Sequence, residues 1–148
     1  TIATGIARHL VDAVMSNPWV SLGDPPYNPL GPSAWEATGE GRERFNDSDD
    51  FKGFTSKPPV DTWGIPLGED NGEGGRRHSN FRASSNMLAN WEQKIDMYYV
   101  SDSDQSIQLP INQGSNHRAV EVTITEVKDG QRRELARVRR VFAYIPPP

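Results

Sequence analysis

The feature that most constrains this chain is a hairpin pattern near its end. Ala119 to Val127 (AVEVTITEV) alternates, sending Val120, Val122 and Ile124 to one side and Glu121, Thr123 and Thr125 to the other. A period of two is that of a strand with one buried face. Asp129-Gly130 follows, a pair suited to the positive φ angles of a tight hairpin turn. Leu135 to Ile145 (LARVRRVFAYI) is the return strand, and its broken alternation at Arg139-Arg140 predicts a bulge or a two-sided strand there. Pro146-Pro147-Pro148 cannot join a ladder and ends the sheet. Trp91 to Val100 (WEQKIDMYYV) supplies a further strand, with Trp91, Ile95, Met97 and Tyr99 on one face. A sheet with one apolar face needs another element to cover it.

The candidate cover is at the other end of the chain. Ile2, Ile6, Leu10 and Val14 recur every fourth residue, with Ala3, Ala7, Val11 and Met15 beside them. This is the stripe of an amphipathic helix over residues 1–16. Pro18 stops it and pushes Asn17 out of the helical region. The stripe is already in phase at Ile2, and Thr1 is a poor start, so the helix is expected to continue upstream.

Residues 17–90 form the long connection. Asp24-Pro25-Pro26, Asn28-Pro29, Gly31-Pro32 and Pro58-Pro59 favour turns and extended backbone. Trp19, Tyr27, Trp35, Phe45, Phe51, Phe54 and Trp63 punctuate it. Disordered linkers are poor in aromatics, so an irregular segment pinned onto the domain by its rings is expected. Gly68 to Gly75 has no such anchor and reads as a mobile loop. The expectation is one α+β domain over 1–148, with the helix in 1–16, irregular chain in 17–90 and an antiparallel sheet in 91–145.

Composition narrows the function. Apolar residues make up 34% of the 148, and 13 glycines and 12 prolines add to the loop content, so the core is small. A net charge of −4 argues against nucleic acid as the partner. The absence of cysteine excludes disulfides and thiolate chemistry. No apolar run approaches the roughly 18 residues of a membrane span. His9, His78 and His117 are scattered without metal-ligand spacing, and no serine sits in a nucleophile motif. Neither catalysis nor an organic cofactor is expected.

Two loop clusters offer hard oxygen ligands of the kind calcium takes, Asn46 to Asp50 (NDSDD) and Asp102 to Asp104 (DSD). Neither fits the EF-hand spacing. Asp47, Asp49 and Asp50 are the candidate ligands, set against the alternative of Asx-turns in a solvated loop. Lys128, Arg132, Arg133, Arg137, Arg139 and Arg140 place six of the chain's 16 basic residues in the terminal hairpin. Arg137 and Arg139 share a face and Arg140 takes the other. They form either a charged strand surface that protects an edge or a docking face for an acidic partner.

The order of helix, irregular loop and antiparallel sheet resembles the heads of type IV pilins and type II secretion pseudopilins. Ala7 to Trp19 resembles the stretch where the long pilin helix enters the head. Arg44 to Leu67 is similar to a pattern of planctomycete-type prepilin-like proteins, D-D-x-x-G-(W/Y/F)-x-x-x-P-P-x-x-x-x-G-x-x-L. Here it is carried by Asp49, Asp50, Gly53, Phe54, Pro58, Pro59, Gly64 and Leu67. Tyr98-Tyr99-Val100 with Ser101-Asp102, and Val138 to Tyr144, also resemble the family.

The resemblance implies a structural subunit, a minor pilin or pseudopilin, whose membrane-embedded N-terminal helix is absent from this chain. It implies packing against other subunits, anchoring in the inner membrane before assembly, and an extracytoplasmic head that is monomeric when truncated. Ile6, Leu10 and Val14 would hold the helix under the sheet. Calcium binding by some pseudopilins points again to Asp47, Asp49 and Asp50. The alternative is a secreted carbohydrate-binding or adhesion module, for which Trp19, Trp35 and Trp63 would have to form a flat exposed platform.

Overall fold

The computed structural model describes residues 2–19, 30–39, 41–61, 64, 88–111 and 113–145. Within them the chain is α+β. Helix α1 spans Ile2–Met15, a short helix α2 spans Ala34–Ala37, and a 3₁₀ turn spans Ser48–Phe51. The strands are β1 Thr55–Ser56, β2 Trp91–Val100, β3 His117–Lys128 and β4 Gln131–Ala143. They form one antiparallel sheet in the order β1-β2-β3-β4. Tyr27, Trp63, Leu67, Gly68 to Gly75, His78 and Pro146 to Pro148 lie outside the described residues.

The β3–β4 hairpin closes at Asp129 and Gly130, whose φ angles are 55° and 75°. Both central residues are left-handed, which suits the right-handed twist of the flanking strands. The bulge is not at Arg139-Arg140 as the broken alternation suggests. Ile124 pairs with Ala136 and Thr125 with Glu134, so Leu135 is the extra residue. Beyond it the alternation is regular. Arg140 stands opposite Val120 on the helix side of the sheet, and Arg137 and Arg139 face away from the helix opposite Thr123 and Glu121.

The core lies between α1 and one face of β2, β3 and β4. Ile6, Leu10 and Val14 are buried with Ala3, Ala7 and Val11, in one cluster with Ile95, Met97, Val120, Val122, Ile124 and Val138. Ile2 departs from the predicted stripe. It is 41% exposed, and Ala3 takes the first buried position of the helix. Pro18 follows the helix after Asn17, whose side chain donates back to the Ala13 carbonyl at 2.7 Å. No described helix is long and apolar enough to cross a membrane.

Two polar residues on the helix side of the sheet are fully buried. Gln93 is fully buried beside Ile95, and its amide donates to Ser56 at 2.6 Å. Arg118, paired with Tyr99 across β2 and β3, is fully buried as well.

Candidate functional site: an acidic turn against a buried arginine

Arg118 owes its position to the strand period. It lies two residues before Val120, so its side chain points to the core face. A guanidinium there must find charge and acceptors. Its Nη1 donates to the Trp19 carbonyl at 2.5 Å and to Ser48 Oγ at 3.0 Å, and its Nη2 donates to the Tyr99 hydroxyl at 3.1 Å. The same group stacks over the Trp19 ring, 3.9 Å from its centroid. Trp19 in turn packs on Tyr99, Phe142 and Tyr144.

The acidic turn closes the site from the other side. Asp47 enters in extended conformation and the chain then makes the 3₁₀ turn. The Asp50 carboxylate accepts from the backbone N–H of Asn46 at 2.9 Å and of Asp47 at 3.3 Å. Ser48 fastens the turn to the helix exit. Its N–H donates to the Pro18 carbonyl at 2.7 Å and its hydroxyl to the Trp19 carbonyl at 3.1 Å. Asp47 and Asp50 are buried and Asp49 is half-buried.

The three carboxylates converge, each offering an oxygen within 4.8 Å of the others. Burial pushes the Asp49 carboxyl up to about 8, helped by a hydrogen bond with Asp47 and by its charge, against the pull of Arg118. Burial and Asp47 push Asp50 up to about 7, against the backbone N–H of Asn46. Fully ionised, the turn would carry more negative charge than Arg118 alone offsets, so near neutral pH it keeps protons. Asp47, Asp49 and Asp50 are also the residues that could hold a cation. They supply three carboxylate groups where calcium takes six to eight oxygens, and Arg118 opposes any positive ion beside it.

The other predicted residues are placed as follows. Arg137 bridges Glu121 and Glu134, the latter at 2.7 Å. Arg139 donates to the Tyr98 hydroxyl at 3.1 Å and to the Gln105 carbonyl at 2.7 Å. Arg140 is on the opposite side of the sheet, its Nη1 donating to the Arg139 carbonyl at 3.1 Å. Arg137 and Arg139 thus belong to a network that includes carboxylates, and Arg140 does not share their face. In the second acidic cluster, Asp102 meets His117 Nδ1 at 2.8 Å and Asp104 accepts from Ser106 Oγ at 2.6 Å. Trp19 is half-buried against Arg118 and the aromatic cluster, so it cannot join an exposed platform with Trp35.

Sequence reasoning found the acidic turn but not its partner. The signal for Arg118 lay in carrying the AVEVTITEV alternation two residues further back. Nothing in the sequence joined that arginine to Ser48, 70 residues away. Compared with family models, with curated proteins and with solved structures, the chain matches none.

Proposed function

We propose that this chain is the head of a type IV pilin-like filament subunit, a minor pilin or pseudopilin. It acts by packing and surface display rather than by catalysis. The observation that carries the reading is the way α1 belongs to the head. Ile6, Leu10 and Val14 are buried in the core shared with β2, β3 and β4, and the chain leaving the helix is tied to the sheet through Ser48 and Arg118. A helix fixed at both its stripe and its exit transmits the position of a stem to the sheet, as a filament subunit requires.

In this reading the stem is an apolar helix upstream of Thr1. It holds the subunit in the inner membrane before assembly and packs in the filament core afterwards. The strand face bearing Arg137 and Arg139 and the polar loops are left for neighbouring subunits. The test is the gene upstream of Thr1, followed by expression of its full product in the native host. A cleavage glycine followed by about 20 apolar residues in phase with Ile2, and labelling of surface filaments by an antibody to the head, are expected. An ordinary signal peptide directly before Thr1 overturns the reading and leaves the secreted binding module.

A further inference from the structure

Helix α1 covers one face of the sheet, and the two edges are left to other devices. An open edge offers unpaired N–H and C=O groups to any strand that meets it. The β2 edge is covered in pieces. β1 pairs with Gln93 and Lys94. Gly53 N–H donates to the Ile95 carbonyl and Ile95 N–H to the Phe54 carbonyl, both at 2.9 Å, and Leu109 N–H donates to the Tyr99 carbonyl at 2.9 Å. Between these pieces the Met97 carbonyl accepts from the Lys52 ammonium at 2.6 Å.

Strand β4, 13 residues long, is the other edge. Its outward groups follow from the register. Tyr144 N–H donates to the Asn116 carbonyl at 2.8 Å. Bonded pairs alternate with unbonded ones along an antiparallel ladder, so Phe142, Arg140 and Val138 bond to β3 at Arg118, Val120 and Val122. Arg137, Arg139, Val141 and Ala143 then turn their N–H and C=O groups away from β3. Among the described residues, no other strand pairs with β4 and no loop backbone bonds to these four.

One of the outward groups is capped from within the strand. Arg140 Nη1 donates to the Arg139 carbonyl at 3.1 Å. This is what Lys52 does for Met97 at the opposite edge. Arg139 is held on the other face of the sheet by the Gln105 carbonyl and the Tyr98 hydroxyl. Positive charge therefore stands on both faces at one point of the edge.

The surrounding sequence shows what this charge opposes. Beyond the Leu135 bulge, Ala136 to Ala143 (ARVRRVFA) holds three arginines and no acid. Its valines and phenylalanine favour strand pairing. A second copy of this stretch laid antiparallel on the first sets arginine against arginine, and like charges across a ladder are destabilising. It must also take the guanidinium off the Arg139 carbonyl. Arg140 is on the helix side of the sheet yet exposed. A strand added beside it would crowd and desolvate a charge that now stands in water.

We propose that Arg140 keeps the β4 edge closed to a second copy of this chain, and that its bond to the Arg139 carbonyl is an autoinhibitory contact against sheet continuation. The inference goes beyond the filament reading and does not depend on it. Heads guarded in this way meet through side-chain surfaces and not by extending one another's sheets.

The experiment compares wild type, Arg140→Thr and Arg137→Thr by sedimentation from micromolar to millimolar concentration, with amide hydrogen exchange read by NMR. Each position is exposed, and each spectrum reports whether its variant is folded. Wild type stays monomeric, with fast exchange at the outward amides of Arg137, Arg139 and Val141. Arg140→Thr doubles in mass as concentration rises, and exchange at Arg139 and Val141 slows at least tenfold. Arg137→Thr, which removes a charge but no cap, stays monomeric. An Arg140→Thr variant that remains monomeric at millimolar concentration overturns the proposal. So does association that leaves the outward amides fast, or pairing through β4 by wild type or Arg137→Thr.

Discussion

The Arg118 guanidinium stacks 3.9 Å from the centre of the Trp19 ring and also donates to the Trp19 backbone carbonyl, across 99 positions of sequence. One side chain thus joins the helix exit, the acidic turn and the inner face of β3. Arg118→Leu leaves the carboxylates of the turn without their counter-charge and Ser48 without its donor. The expected loss is about 3–5 kcal/mol, the usual cost of removing one member of a buried charged group. Arg118→Lys keeps the charge but loses the stack and the forked donors, so it recovers less than half of that loss. Urea unfolding measures both, and a loss below about 1 kcal/mol for Arg118→Leu would make the arginine a bystander.

The acidic turn gives a pH dependence of definite sign. Asp49 and Asp50 are raised in the folded protein, to about 8 and about 7, from an unfolded value of about 4. The folded state therefore binds more protons between these limits, and stability falls as pH rises. The contribution is fully present below about pH 4 and is lost as pH climbs through 7 to 8. Unfolding midpoints measured in chelator from pH 5 to about 9 are expected to fall, and Asp49→Asn, which mimics the neutral acid, flattens the slope. A midpoint that rises over the same range contradicts the raised carboxyls. Calcium that restores the loss at high pH in wild type, but not in Asp49→Asn, would identify the turn as a cation site.

The helix stripe is not uniform in its energetic weight. Leu10 is 2% exposed and Ile2 is 41% exposed. Leu10→Ala is expected to cost about 2–5 kcal/mol, from lost burial and the cavity left behind. Ile2→Ala should stay within about 1 kcal/mol, because its side chain gives up little on unfolding. Thermal unfolding of the two variants side by side checks the ranking, and equal losses would mean that α1 is buried along its whole length.

The arginines of β4 make a weaker case for stability. Arg137 joins Glu121 and Glu134 at the surface, and exposed pairs contribute about 0–1 kcal/mol. Arg137→Ala should leave the unfolding midpoint nearly unchanged, with any difference vanishing in high salt. A loss that persists at high salt would show that the aliphatic stem of Arg137, not its charge, does the packing.

Much of this fold was legible where burial imposes a period. The β3 pattern displayed its inward valines, and α1 displayed Ile6, Leu10 and Val14, because one face of each element is dry. Helix α2 and strand β1 were not legible, since four residues and two residues are too short to show a period. The Leu135 bulge was hidden for another reason. Arg140 occupies a helix-side position of the outermost strand but remains exposed, so polarity misreported the face on which it lies. At the site, the acidic turn was visible as composition, whereas Arg118 read as one more basic residue. Its burial depends on Trp19, Ser48 and Tyr99 arriving from three distant parts of the chain.

The placement of α1 also sets an order of assembly. β2, β3 and β4 are neighbours in sequence as they are in the sheet, and the two-residue turn at Asp129-Gly130 lets the last two strands meet early. Helix α1, at residues 2–15, must instead close a loop of roughly a hundred residues to reach β3 and β4, and that entropy is lost before its contacts repay it. The meander is thus expected to form first and the helix to dock last. Substitutions at Val122 would then slow folding, whereas those at Val14 would mainly speed unfolding. A force applied at the N-terminal end of α1 would by the same logic release the helix before it disturbed the sheet.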